Sequence, residues 1–206
     1  MEQFISETPV ASIIFLFTIA TSLYAFSNSE IYGKFMLHPY SVSRGERVYT
    51  IITSGLIHKD WGHLFMNMIS YYFFAFTLER LMGHFAFGVL YIASLALSDI
   101  GTILKHKDHY SYNSLGASGA VSAVVFSFIL FAPLTKMMIF PIPIPINAVI
   151  FGVLYLIYSV YASKRGGGTI NHDAHFTGAI AGIIITIIFY PTVVTHFISE
   201  ISGVFQ

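Results

Sequence analysis

The stretch NSLGASGAVSAVV, residues 113–125, sets a serine among small residues, Gly116-Ala117-Ser118-Gly119, at the head of a run that then turns wholly apolar. That run continues to Pro133, and apolar runs of about 18 or more residues with few charges read as membrane spans, because a hydrocarbon core about 30 Å thick needs roughly 20 helical residues. Reading outward from the segment at 116–133, five more such segments appear at 9–27, 62–82, 85–104, 145–163 and 173–195. Backbone groups in lipid have no water to bond, so each segment must be helical. The expected fold is therefore an all-α membrane protein of six transmembrane helices, a single domain over 1–206 with no internal repeat.

Composition agrees. Of 206 residues, 55% are apolar and only 10% charged, against about 25% charged in soluble domains. Ten Lys plus Arg balance ten Asp plus Glu, so there is no electrostatic footprint for nucleic acid. The absence of cysteine rules out disulfides, thiolate catalysis and thiolate metal sites. The leader MEQFISETPV is acidic where a secretory signal is basic, and the first segment is read as a retained span.

Three connectors stand out. Residues 27–61 are long and amphipathic, with Phe35, Met36, Leu37 and Tyr40 among polar residues, as expected of a segment lying in the membrane interface. PLTKMMIFPIPIPI, 133–146, alternates Pro with Ile and cannot be helical there. SKRGGGTIN, 163–171, reads as a hinge, and its Gly166-Gly167-Gly168, with segment five, is where a substrate gate is expected.

Alternating spans bring the starts of segments two, four and six to one face of the membrane, and the unusual polar residues sit there: His58, His63 and Asn67 in HKDWGHLFMN, Ser118, and His172 and His175 in NHDAH. His63 and Asn67 share a helical face, as do His172 and His175, while His58 precedes its helix. Polar groups at membrane depth are costly and usually line a cavity or bundle interior. The plain reading of GASG is close helix packing through small residues, and Gly178 and Gly182 in GAIAG are read as such a contact face. Packing does not account for the histidines. Nucleophilic catalysis needs a serine, a base within hydrogen-bond reach and oxyanion donors; His175 can be the base, while His63, Asn67 and the N-H groups at the start of segment four can donate.

These residues resemble the rhomboid intramembrane serine proteases, over all six spans. The family's H-x-x-x-x-H-x-x-x-N stands as His58, His63 and Asn67, its G-x-S-G as Gly116 to Gly119, and its A-H-x-x-G-x-x-x-G as Ala174, His175, Gly178 and Gly182. Glu79 and Arg80 in LERLMG also match, the plainer reading being a charged pair snorkelling at the surface. The resemblance implies a six-helix rhomboid bundle with catalytic Ser118 and His175, an oxyanion hole from His63, Asn67 and the Ser118 N-H, and supporting roles for His58, Gly116, Gly119, Gly178 and Gly182. It implies no cofactor and no metal, transmembrane protein substrates and membrane lipids as partners, and a bacterial inner (plasma) membrane with the site opening to the non-cytoplasmic side. Two positions depart. Ser122 stands where the family has an aromatic stacked on the histidine, and Tyr49-Thr50 where it has a Trp-Arg pair anchoring the first loop. The motif therefore does not give what holds His175, and the first loop must be anchored differently.

With a cytoplasmic N-terminus the outer loops carry Lys34, Arg44, Arg47, Lys59, Lys105, Lys107, Lys164 and Arg165, and the inner ones only Arg80 and Lys136. The positive-inside rule prefers the reverse; the family orientation is kept because many of those charges fall in the long first connector. Three rival readings stand: an inactive client-binding relative, a metal or haem protein using His172, His175, His58 and His63, and an α/β-hydrolase. The last fails, since Ala120 breaks G-x-S-x-G and its strands would be unpaired in lipid.

Overall fold

The computed structural model describes residues 2–139, 142–165 and 171–205. Six long helices carry the architecture: α1 Pro9–Ser27, α2 Trp61–Met82, α3 His84–His106, α4 Ser118–Phe131, α5 Ala148–Arg165 and α6 His172–Phe189. Each coincides with one of the apolar segments. Three of them, α1, α3 and α6, are long and apolar enough to cross a membrane, and α4 and α5 are shorter apolar helices. The fold is mainly helical; in the Pro-Ile connector strands β1 Lys136–Ile139 and β2 Ile142–Asn147 pair antiparallel with Lys136 opposite Asn147. Proline at alternate positions leaves every second N-H missing along one edge, which a two-stranded ribbon tolerates and a helix does not.

Helix α4 is the centre of the bundle. Every residue from Gly119 to Ile129 is buried, which requires neighbours on all sides. Helix α6 lies closest: a methyl group on Gly178 would strike the Gly119 backbone, and one on Gly182 the Ala123 backbone. Small residues at this crossing let the two main chains touch. Farther along, Thr186 Oγ1 donates to Ser127 Oγ at 2.6 Å, a polar clasp between the same two helices.

Two features differ from the sequence reading. Segment six, expected to run to 195, stops at Phe189 because Pro191 follows, and a separate amphipathic helix α7, Val193–Ser202, takes over. Glu79 does not snorkel. It is fully buried and caps α1, accepting from Val10 N (3.1 Å) and Ala11 N (2.6 Å), while His84 Nδ1 lies 2.6 Å away. The first N-H groups of a helix have no partner within it, and an anion there is favourable; Thr8, the local cap position, makes no side-chain cap bond, so the carboxylate on α2 fills the role. Arg80 turns outward to Glu7 at 3.1 Å. One residue, Gly83 at φ +74°, joins α2 to α3, a left-handed turn that suits glycine.

The first connector folds onto the bundle through short helices Ser29–Phe35, Pro39–Val42 and Thr50–Thr53. Leu37, one of its apolar residues, is fully buried within the protein. Its anchor is Arg47, whose Nη2 donates to the carbonyls of Gly33 (2.7 Å) and Lys34 (3.0 Å), with Thr50 Oγ1 donating to the Arg47 carbonyl at 2.7 Å. Arg44 adds a bond to the Lys107 carbonyl at 2.9 Å and covers the Tyr40 ring at 3.6 Å. These contacts anchor the connector in which Tyr49-Thr50 stand.

Candidate active site

The stretch before Ser118 is braced by the first connector. Leu37 and Ser114 exchange backbone hydrogen bonds of 2.9 and 3.0 Å, and Gly116 N donates to the Ser54 carbonyl at 2.9 Å. Gly116 then takes φ +113°, a conformation other residues rarely adopt. It is also where His63 rests: a Cβ on Gly116 would lie 2.9 Å from His63 Nε2. Any side chain there would displace the ring.

His63 is oriented from its other edge. The Lys59 N-H points to its Nδ1 at 3.4 Å, an arrangement that leaves the proton of the neutral ring on Nε2, the nitrogen facing the Gly116 turn. His58 precedes α2 as its spacing predicts, is fully buried, and meets the Ser22 hydroxyl through Nδ1 at 3.0 Å. Its ring stands edge-on to His63 at 5.0 Å, and its Nε2 has no partner among the described residues. Asn67 is nearly buried and donates one amide hydrogen to the His63 carbonyl at 3.0 Å. An amide carries two donors, so one stays available.

Ser118 is the first residue of α4, and no side chain caps that helix. By contrast Asp60 caps α2 through His63 N at 2.8 Å, and Asn171 caps α6 through Ala174 N at 3.1 Å. The leading N-H groups of α4 are therefore without a capping side chain, beside the serine hydroxyl.

His175 sits on the first turn of α6. The Ala174 carbonyl would lie 3.3 Å from a Cβ on Gly119, so the residues adjoining Ser118 and His175 are in backbone contact. Among the described residues no hydrogen bond joins the Ser118 hydroxyl to the His175 ring; what the helix packing shows is the close approach of the main chains next to them. The ring faces two aromatic neighbours, Tyr155 stacked at 6.2 Å and 15°, and His172 edge-on at 5.8 Å and 76°. Tyr155, on α5, went unread in the sequence, where it is one tyrosine in an apolar run without a motif; Ser122 was the signal that an aromatic had to come from another helix. Among the described residues no three His, Asp or Glu gather as metal ligands. Gly166-Gly167-Gly168, the expected gate hinge, lies outside the described residues.

Comparison with known proteins adds an independent line. A family model described as Rhomboid domain matches residues 45–192. The chain is 28% identical over 171 residues to the Arabidopsis thaliana RHOMBOID-like protein 12, mitochondrial, covering 73% of this chain and 50% of that protein. It is 27% identical over 138 residues to the Saccharomyces cerevisiae Rhomboid protein 1, mitochondrial, covering 66% and 40%. The chain thus spans half or less of the length of these curated relatives.

Proposed function

Since the chain belongs to the rhomboid family, an integral membrane family, we propose that it is an intramembrane serine protease cleaving the transmembrane segments of membrane proteins through Ser118 and His175. One observation carries the reading: the close backbone approach of Gly119 to Ala174 and Gly178, which supports a serine and a histidine working together at two neighbouring helix starts, with His63 Nε2 against the Gly116 turn.

In this mechanism Ser118 Oγ attacks a peptide carbonyl while His175 takes its proton and delivers it to the leaving amine. Negative charge on the carbonyl oxygen is met by the Ser118 N-H, His63 Nε2-H and the second Asn67 N-H. Water then attacks the acyl-enzyme with His175 again as base, releasing Ser118. A substrate helix hides its carbonyls in i to i−4 bonds, so it must unwind locally first.

Helix α4 supports the embedding of this chemistry. At 14 residues it rises about 21 Å, short of a hydrocarbon core of about 30 Å. In this reading its serine end starts below the membrane surface, with a polar mouth leading to water. The six helices cross as six spans, with that mouth on the non-cytoplasmic face of a bacterial inner (plasma) membrane; the plant and yeast relatives, named as mitochondrial, mark the rival compartment. Reporter fusions at Gln206 read cytoplasmic in this orientation, and an external signal reverses it.

The lack of a Ser118–His175 hydrogen bond favours one alternative, an inactive relative that binds transmembrane clients. Labelling by a fluorophosphonate in detergent decides. The wild type is expected to react and Ser118→Ala not to; equal labelling of both removes the nucleophile from this site.

A further inference from the structure

We propose that Tyr155 is the positioning residue for His175 and that Ser122 locks it in place, an inference that rests on the Ser118–His175 reading. The ring of His175 makes no hydrogen bond among the described residues, so a carboxylate or carbonyl does not hold it. Two aromatic surfaces do. Tyr155 lies parallel to the imidazole, and His172 stands across it. A face contact and an edge contact together restrict both side-chain torsions of the histidine, within the separations at which aromatic pairs attract.

Tyr155 is itself fixed from the nucleophile's helix. Its hydroxyl meets Ser122 Oγ at 2.7 Å, and its ring leans on Phe126 at 5.6 Å and on Phe151 at 5.7 Å. Ser122 follows Ser118 by one turn on α4, so the two serines stand on neighbouring positions of one face. The helix that presents the nucleophile therefore also sets the surface against which the base lies. Serine to serine, serine to tyrosine and tyrosine to imidazole form one rigid series, and the separation of nucleophile from base is fixed through it. This gives Ser122 a reason to be polar: an alanine could pack there but could not register the phenol.

The alternative is that Tyr155 only packs α5 onto the bundle. In the purified full-length protein the two differ. Tyr155→Leu is expected to slow fluorophosphonate labelling of Ser118 and substrate turnover by about ten- to a hundredfold, the range for a misplaced catalytic group, with kcat falling and KM held. Tyr155→Phe keeps the ring and loses the lock, and is expected to slow labelling by roughly two- to tenfold. The exchange Ser122→Tyr with Tyr155→Ser returns the ring from α4 with total volume conserved, and is expected to recover labelling relative to Tyr155→Leu.

A spectroscopic readout works without activity. With the histidines isotopically labelled in Ser118→Ala protein, the His175 ring protons are expected to move on Tyr155→Leu, as the ring current is removed, and to stay near their place on Tyr155→Phe. An unmoved His175 signal overturns the positioning. So does wild-type labelling in Tyr155→Leu, or an exchange variant that melts like wild type yet recovers nothing. A wild type that never labels instead overturns the protease reading, and the catalytic consequence of Tyr155 falls with it.

Discussion

Helix α2 carries His63 in its first turn and Glu79 in its last, and its two ends are built on opposite principles. Around Glu79 the buried polar groups are satisfied: the carboxylate meets two backbone N-H groups and an imidazole, Tyr71 donates to the Ala11 carbonyl at 3.2 Å, and Tyr190 donates to the Met82 carbonyl. Around His63 they are not. His58 Nε2, beside it, is buried without a partner among the described residues, Asn67 uses one of two amide hydrogens, and Ala117, the cap position of α4, offers no capping side chain. A satisfied buried network fixes a structure. In the proposed mechanism, polar groups left unpaired here are free to meet charge that arrives only during reaction. The contrast is between an end that stabilises and an end that waits.

Substitutions can break this contrast. Ser118→Ala is expected to lower turnover of a transmembrane substrate by on the order of 10⁶-fold, while detergent unfolding shifts by less than about 1 kcal/mol. Next comes Asn67→Ala. If its free amide hydrogen acts on the oxyanion, kcat falls by roughly 10²- to 10³-fold with substrate affinity little changed; a destabilised variant with wild-type kcat removes Asn67 from the donors.

At the other end the signs reverse. Glu79→Ala leaves the α1 N-H groups without an acceptor and is expected to cost about 2–3 kcal/mol of stability, with kcat of the folded fraction within about twofold. A Glu79 variant that unfolds normally but fails to turn over would merge the two ends. The smallest effect belongs to Arg47→Ala, roughly 1 kcal/mol from bonds to partly exposed carbonyls, read by thermal unfolding. Proteolytic nicking within residues 33–47 should rise with it.

The helices were legible because length and apolar composition are local properties, and the bilayer demands both. Proline gave the non-helical 133–146 connector, though not that it pairs as a ribbon, while Pro191, inside the sixth apolar run, is passed over by a reading that carries the segment on to 195. His63 could be placed by its offset from Asn67, and Gly116 by its neighbourhood. What escaped depended on partners distant in sequence. Glu79 looked like a snorkelling charge because its partner Ala11, in the helix it caps, lies 68 residues earlier. Tyr155 looked like any interior tyrosine because its value lies in two other helices. Arg47 looked like an ordinary loop charge; three backbone carbonyls, an association no periodicity records, give it its place.

The bracing of the Ser118 loop has a consequence for the newly made chain. Leu37, Ser54 and His63, the groups that shape this loop, are all synthesised before it, whereas His175 comes well after. The serine turn can be moulded as soon as α4 enters the membrane, whereas in the proposed mechanism the base arrives only when α6, the last of the six long helices, is inserted. On that reading a chain assembled in this order cannot cut neighbouring nascent helices before α6 is in place.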